Sequence, residues 1–193
     1  MKLIVATKNK GKLAEIKAIL SGHTVLGQEE AGVEVAVEET GTTFAENALI
    51  KARAIAALTD GAVLADDSGL EVDALDGAPG IYSARYAGED ATDADRMQKL
   101  LAELDGVPDI QRTARFVCVM ALVLPDGSEH TFRGTCEGRI AHAPRGENGF
   151  GYDPVFELPE RGRTLAEIGE TEKNQISHRS RALAQVEEFV KQM

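Results

Sequence analysis

The amino-acid sequence predicts an α/β protein in which helices pack on a mixed β-sheet. Apolar runs alternate with segments of helical period in the order strand, helix, strand, helix, strand, and a helix, a hairpin and a final helix follow. The composition is aliphatic, with 43% hydrophobic but only 5% aromatic residues. No repeat, low-complexity run or linker interrupts residues 1–193, which predicts one domain with room for two lobes.

The first predicted strand and helix flank a basic loop. An apolar run from Lys2 to Ala6 precedes the loop, and apolar residues recur at helical spacing from Leu13 to Leu20. Free N–H groups at the helix start and three lysines favour an anion such as a triphosphate, although the spacing is not that of a Walker motif and such lysines are often simply solvated. The candidate phosphate-binding residues are Thr7, Lys8, Asn9, Lys10, Gly11 and Lys12.

A loop with two glutamates, Glu38–Gly41, precedes the second predicted helix and is called the acidic loop below. Thr43 and Glu46 match a capping box that opens a helix through about Leu58. Glu46 is therefore interpreted as a cap, whereas Glu38 and Glu39 are free to face a metal ion. Loop glutamates are usually just exposed, so this hypothesis depends on a second acidic cluster.

Asp66 and Asp67 supply that second cluster. They follow the apolar run Val63–Ala65, and Ser68-Gly69 predicts a turn that ends the strand. Carboxylates at the carboxyl end of a strand can hold a divalent cation or act as a base. Since successive strand residues point to opposite faces, the two aspartates are expected to do different jobs. The alternative is a solvated Asp-Ser turn.

The middle of the chain is interpreted as scaffold. Thr92 is predicted to cap a helix that ends near Gly106, with an apolar face for packing. Residues 113–124 and 130–141 are predicted to form an antiparallel hairpin around Asp126-Gly127.

A glycine-rich segment near the carboxyl terminus suggests a nucleobase pocket. Glycines let the backbone approach a ligand and aromatic rings offer stacking faces, but a turn with its aromatics in the core explains the same pattern. The candidates here are Phe150, Gly151, Tyr152 and Asp153.

The last helix is predicted to start after Ser177 as its N-cap, with His178 and Arg179 on an exposed first turn. A basic pair at a helix start opposes the helix dipole, and this unfavourable placement hints at a function in binding an oxygen-rich ligand.

Charge and cysteine usage narrow the possible partners. The net charge of −11 argues against nucleic-acid binding, including an RNA-binding module built on the lysine loop. Cys118 and Cys136 show no metal or redox spacing, so reduced thiols and a cytoplasmic location are expected. No signal-peptide pattern or membrane-spanning run is found.

Five separated segments together resemble the inosine/xanthosine triphosphate pyrophosphatase family. They are Thr7–Lys12, Glu38–Gly41 with Thr43–Ala48, Ala65–Leu70 continuing to Gly80–Tyr86, Gly149–Pro154 and Lys173–Arg179. The resemblance implies an elongated mixed sheet in two lobes with the site in the cleft, a homodimer, and Mg²⁺-dependent hydrolysis of ITP, dITP and XTP to the monophosphate and pyrophosphate. One departure is Lys8, where the family commonly has glycine.

By position, the resemblance assigns a role to each candidate. Thr7 to Lys12 and Ser68 bind substrate, mainly its phosphates, and Asp67 is proton acceptor and metal ligand, assisted by Glu38 or Glu39. Residues on the nucleoside side are Phe150, Gly151, Tyr152, Asp153, Lys173, His178 and Arg179. Two alternatives stay open, namely a related pyrophosphatase acting on another base and a catalytically silent nucleotide sensor.

Overall fold

The computed structural model describes all 193 residues as seven strands, five α-helices and four short 3₁₀-helices. The strands are β1 (Lys2–Val5), β2 (Thr24–Gly27), β3 (Ala62–Val72), β4 (Thr113–Val123), β5 (Glu129–Ile140), β6 (Phe156–Leu158) and β7 (Arg163–Thr164). The α-helices are α1 (Lys10–Ile19), α2 (Phe44–Ala56), α3 (Asp93–Glu103), α4 (Glu170–Ile176) and α5 (His178–Gln192). The 3₁₀-helices are Asp73–Leu75, Gly80–Arg85, Asp109–Gln111 and Asp153–Val155.

The strands form one mixed sheet in the order β2-β1-β3-β4-β5-β6-β7. β1 runs parallel to both of its neighbours, with Val5 in register with Gly27 of β2 and Leu64 of β3. β6 is antiparallel to β5 and to β7. The predicted mixed α/β sheet is confirmed, and none of the helices has the length and apolar character needed to span a bilayer.

Contacts divide the chain into two compact units, each with its own core. The first unit comprises Met1–Asp67, Cys118–Gly134 and His178–Met193, and the second comprises Ser68–Val117 and Thr135–Ser177. The core of the first unit includes Leu3, Val5, Ile16, Leu64, Met120, Leu122 and Leu183. The core of the second includes Leu70, Leu100, Phe116, Tyr152, Val155 and Phe156. β3, β4 and β5 contribute residues to both units.

Helix caps follow the sequence closely. The Thr43 side chain accepts from Glu46 N–H at the start of α2, and Thr92 forms a full capping box with Asp95 at the start of α3. Glu46 accepts instead from the backbone N–H and hydroxyl of Thr42, at 2.6 and 2.9 Å, so the box predicted at α2 is shifted by one residue. The hairpin is also confirmed, because Leu124 N–H donates to Ser128 O across the Asp126-Gly127 turn.

One prediction about secondary structure is wrong. β3 does not turn at Ser68-Gly69 but continues to Val72, because its outer half packs Leu70 and Val72 into the second core. Residues 170–176 form a separate helix, α4, which sequence reasoning did not identify.

Candidate active site

The loop after β1, residues 7–12, is held by its own hydrogen bonds and is called the phosphate loop below. Asn9 caps α1, because its side chain accepts from Lys12 N–H at 3.0 Å. The Asn9 N–H donates to Thr7 Oγ1 at 3.1 Å. The first turn of α1 contains no acidic residue, so the positive end of the helix dipole is not offset locally. The loop therefore offers N–H groups and cations to an anionic ligand.

The three lysines of the phosphate loop lie in different surroundings. Lys8 and Lys10 are exposed, whereas Lys12 is partly buried with its Nζ 3.3 Å from Asp66 Oδ1. Lys8 stands where the family commonly has glycine. Because Lys8 is exposed, its side chain occupies no buried space in the loop. Gly11, between the other two lysines, is half-buried.

Asp66 is fully buried among cations. Its Oδ2 lies 3.2 Å from Nη2 of Arg179, which also pairs with the buried carboxylate of Glu15. Burial alone would raise the pKa of Asp66, but the charges of Lys12, Arg179 and Lys51 hold it well below its usual range. Asp66 is therefore a permanent anion and a poor proton acceptor at neutral pH.

His178 and Arg179 were predicted to lie on an exposed first turn, but both are buried. They begin α5, yet His178 is 5% and Arg179 1% exposed. Two carboxylates, Glu15 from α1 and Asp66 from β3, compensate the Arg179 guanidinium. This compensation explains how the helix start tolerates a cation against its dipole.

Asp67, the next residue of β3, has a different environment. It is 5% exposed, its Oδ1 lies 3.7 Å from Lys51 Nζ, and its Oδ2 is buried with no hydrogen-bond partner. Burial raises the pKa of Asp67 to about 6, with Lys51 opposing the rise and Glu39 adding to it. A carboxylate with this pKa is ionised at neutral pH and can still accept a proton, so the two aspartates suit different tasks.

The acidic loop contributes one residue to this environment. Glu39 Oε1 lies 2.5 Å from Lys51 Nζ, so Glu39 and Asp67 share one ammonium group, while Glu38 is exposed. No group of three or more His, Cys, Asp or Glu side chains is arranged as a metal site, and of the two candidate glutamates Glu39 is the one that shares a partner with Asp67. Glu39 and Asp67 nevertheless provide carboxylate oxygens, which are the ligands that Mg²⁺ prefers, and Mg²⁺ commonly takes one or two carboxylates together with substrate phosphates and water.

Ser68 completes the central stretch of β3. It is half-buried and lies in the strand directly after Asp67. β1 ends at Val5, and its pairing with β3 ends near Leu64, so β3 runs past the carboxyl end of its parallel partner. The two aspartates thus lie beyond the end of β1, although they do not end their own strand.

A second cluster lies in the second unit and contains three of the predicted nucleoside-side residues. Lys173 is 4% exposed, and its Nζ lies 2.7 Å from Asp153 Oδ2. The same Nζ lies 4.7 Å from the centroid of the Phe150 ring, and Phe150 N–H donates to Asp153 Oδ2 at 3.1 Å. Asp153 thus holds an ammonium group over the face of a half-buried ring.

The other two members of the glycine-rich segment have structural partners. Tyr152 belongs to the core of the second unit, and its hydroxyl donates to Ser83 O at 2.7 Å. Gly151 adopts a φ of +62° and donates its N–H to Asp93 Oδ2 at 2.9 Å. The alternative of an aromatic in the core is therefore confirmed for Tyr152, whose satisfied hydroxyl and buried ring offer no stacking face.

Sequence reasoning missed Lys51 and Glu15. Lys51 lies on α2 beside the inward-facing Ala48, Ala52 and Ile55, and a lysine next to such a face was the available signal. Glu15 is likewise buried beside Ile16 on α1.

Fold and site together define a class of protein. A mixed α/β sheet carries a phosphate loop at a helix start, and the buried neighbours Asp66 and Asp67 have opposite pKa shifts among lysines. This combination fits an enzyme that acts on a phosphorylated substrate.

The particular family follows from comparison with known proteins. The model of the Ham1 family matches residues 3–189, and the chain belongs to this family. A dITP/XTP pyrophosphatase from Geobacillus kaustophilus is 53% identical, covering 96% of this chain and 92% of the relative. A dITP/XTP pyrophosphatase from Geobacter sulfurreducens is 55% identical, covering 95% and 93%.

Solved structures agree with this assignment. A HAM1 protein from Coxiella burnetii is 46% identical with a TM-score of 0.90, covering 100% of both chains. A nucleoside-triphosphatase / dITP/XTP pyrophosphatase from Mycobacterium abscessus is also 46% identical, with a TM-score of 0.78, and covers 96% of this chain and 98% of that one. The resemblance stated from the sequence is confirmed.

Proposed function

We propose that this chain is a Mg²⁺-dependent nucleoside triphosphate pyrophosphatase that hydrolyses ITP, dITP and XTP to the monophosphate and pyrophosphate. This reaction removes deaminated purines from the nucleotide pool. Relatives named dITP/XTP pyrophosphatase support the substrate class. The structural observation that carries the proposal is Asp67, a buried carboxylate with a pKa raised to about 6 and an oxygen without a hydrogen-bond partner.

Release of pyrophosphate requires a water molecule to attack the α-phosphorus. In this proposal Asp67 accepts the proton of that water, because its carboxylate is ionised at neutral pH and more basic than an exposed aspartate. Lys12 and Lys51 lie close to the aspartates and offset the charge that develops on the phosphate oxygens. Asp66 holds Lys12 in place without competing for the proton.

Glu39 and Asp67 are the residues proposed to hold Mg²⁺. The bound ion would neutralise part of the triphosphate charge. Both carboxylates form ion pairs with Lys51 Nζ, and the charge of Glu39 contributes to the raised pKa of Asp67. Because Glu39 and Asp67 are both close to the Lys51 ammonium group, they are better placed than the exposed Glu38 to bind one divalent ion together.

Base selection is proposed to depend on Lys173 and Phe150. Hypoxanthine and xanthine carry a 6-oxo acceptor where adenine carries an amino donor, so an ammonium group held by Asp153 beside an aromatic face favours the oxo bases. Arg179 was also predicted to lie on the nucleoside side of the site. Its guanidinium pairs with Glu15 and Asp66, which favours a role beside the aspartates instead.

A nucleotide panel tests the proposal against its two alternatives. ITP, dITP, XTP, ATP, GTP and a modified pyrimidine triphosphate are incubated with Mg²⁺ or EDTA, and the phosphate products are separated. We expect pyrophosphate from the deaminated purines only with Mg²⁺. Preference for a pyrimidine would favour a pyrophosphatase for another base, and tight nucleotide binding without turnover would favour a silent sensor.

The remaining expectations concern assembly and location. A homodimer is proposed from the family resemblance, and light scattering coupled to gel filtration measures it directly. A cytoplasmic location is proposed because Cys118 and Cys136 are both free thiols, as is usual in a reducing compartment.

A further inference from the structure

Asn47 is a buried polar residue that has no role in the proposed chemistry, although it lies in the Thr43–Ala48 segment. It lies on α2, it is 0% exposed, and its side-chain Oδ1 accepts from Gly41 N–H at 2.8 Å. Its Nδ2 is buried with no hydrogen-bond partner. Burying an amide whose Nδ2 has no partner costs stability. A function for the hydrogen bond from Gly41 to Asn47 would explain why this cost is tolerated.

Asn47 and Lys51 lie one helical turn apart on α2, so they share a face of the helix. Both side chains bind the acidic loop: Asn47 holds Gly41, and Lys51 holds Glu39 Oε1 at 2.5 Å. Residues 33–41 form no regular helix or strand, so the loop depends on such side-chain contacts for its position.

The fit at Gly41 is close. A Cβ atom there would lie 2.7 Å from Asn47 Oδ1 and 2.7 Å from Glu46 Cβ. The loop backbone therefore approaches α2 as near as a residue without a side chain allows. Glu39 is two residues away from this anchor and reaches Lys51, which also faces Asp67.

We infer that Asn47 is a positioning residue for the divalent cation: by holding Gly41 it fixes where the Glu39 carboxylate lies relative to Asp67. The inference rests on the proposed role of Glu39 and Asp67 as cation ligands. Residues that orient metal ligands commonly change metal affinity about 10- to 100-fold when they are removed.

The test measures Mn²⁺ binding to the nucleotide-free protein by electron paramagnetic resonance, so it does not depend on turnover. Asn47→Ala removes the acceptor, and Asn47→Leu removes it while keeping most of the volume, in case the smaller side chain fails to fold. Both are expected to weaken Mn²⁺ binding roughly tenfold. Thr43→Ala is the matched control, because it removes the N-cap of the same helix and leaves the Asn47–Gly41 bond in place.

A double-mutant cycle with Glu39→Gln identifies the route of the effect. If Asn47 acts through Glu39, Asn47→Ala weakens Mn²⁺ binding by less than about twofold when Glu39→Gln is already present. An equal loss in both backgrounds overturns the inference, and so does a loss no larger than that of Thr43→Ala. If Glu39→Gln alone leaves Mn²⁺ binding unchanged, the cation assignment in the proposed function fails as well.

Discussion

Replacing Asp67 by Asn is expected to make the metal-free protein more stable at neutral pH. The pKa of Asp67 is raised from 3.8 to about 6, mainly by burial. The folded state therefore holds the proton more tightly than the unfolded state does, and ionising the carboxyl destabilises the fold. A shift of about 2 pKa units corresponds to about 3 kcal/mol.

The sign and the pH range of this effect follow from the two pKa values. Below pH 3.8 the carboxyl is protonated in both states, so the wild type carries no penalty. As pH rises through about 6, the folded state loses that proton and the penalty becomes complete. Because Asn cannot ionise, the advantage of Asp67→Asn over the wild type grows between pH 4 and pH 6.5 and then stays constant.

Urea unfolding in EDTA between pH 4 and pH 8 measures this difference in free energy. Asp90→Asn is the control, because it makes the same chemical change at an exposed aspartate. If Asp67→Asn is less stable than the wild type at pH 8, or if the difference does not change with pH, the assignment of Asp67 as a destabilised buried base is wrong. The same variant should lose orders of magnitude in kcat, since an amide cannot accept the proton.

Asp66→Asn should act in the opposite direction on stability. It leaves Lys12 without its buried counter-charge and Arg179 with Glu15 alone, and it should cost about 3–5 kcal/mol in urea unfolding at pH 7. Its kcat should fall less than that of Asp67→Asn, and a larger fall would mean that the two roles are reversed. Lys173→Ala should shrink the ratio of kcat/KM for ITP over ATP by weakening ITP turnover, by about 1–3 kcal/mol in barrier terms. Lys12→Ala should lower kcat/KM for ITP and for ATP by the same factor. A changed ITP/ATP ratio in this variant would contradict the assignment of Lys12 to the phosphates.

Local signals in the sequence were sufficient for most of the fold. The caps at Thr43 and Thr92 and the turn at Asp126-Gly127 depend on short-range hydrogen bonds, and all three occur as predicted. The length of β3 could not be predicted in the same way. Asp67 and Ser68 look like a strand end locally, but the packing of residues further along keeps the backbone extended.

The candidate site shows the same division between local and long-range information. The phosphate loop and the aspartates are contiguous motifs and were identified. Lys51 and Glu15 were not, because both matter through ion pairs with residues distant in the sequence. Lys51 pairs with Glu39 and Asp67, and Glu15 pairs with Arg179. The buried state of Arg179 also depends on partners from two distant elements, so its sequence position at a helix start predicted exposure instead.

The most direct test of the proposed function is hydrolysis of ITP in ¹⁸O-labelled water with Mg²⁺, followed by mass spectrometry of both products. If Asp67 activates water for attack at the α-phosphorus, the label enters inosine monophosphate and the released pyrophosphate stays unlabelled. Label in the pyrophosphate, or orthophosphate as the first product, would show attack at another phosphorus and contradict the proposed reaction.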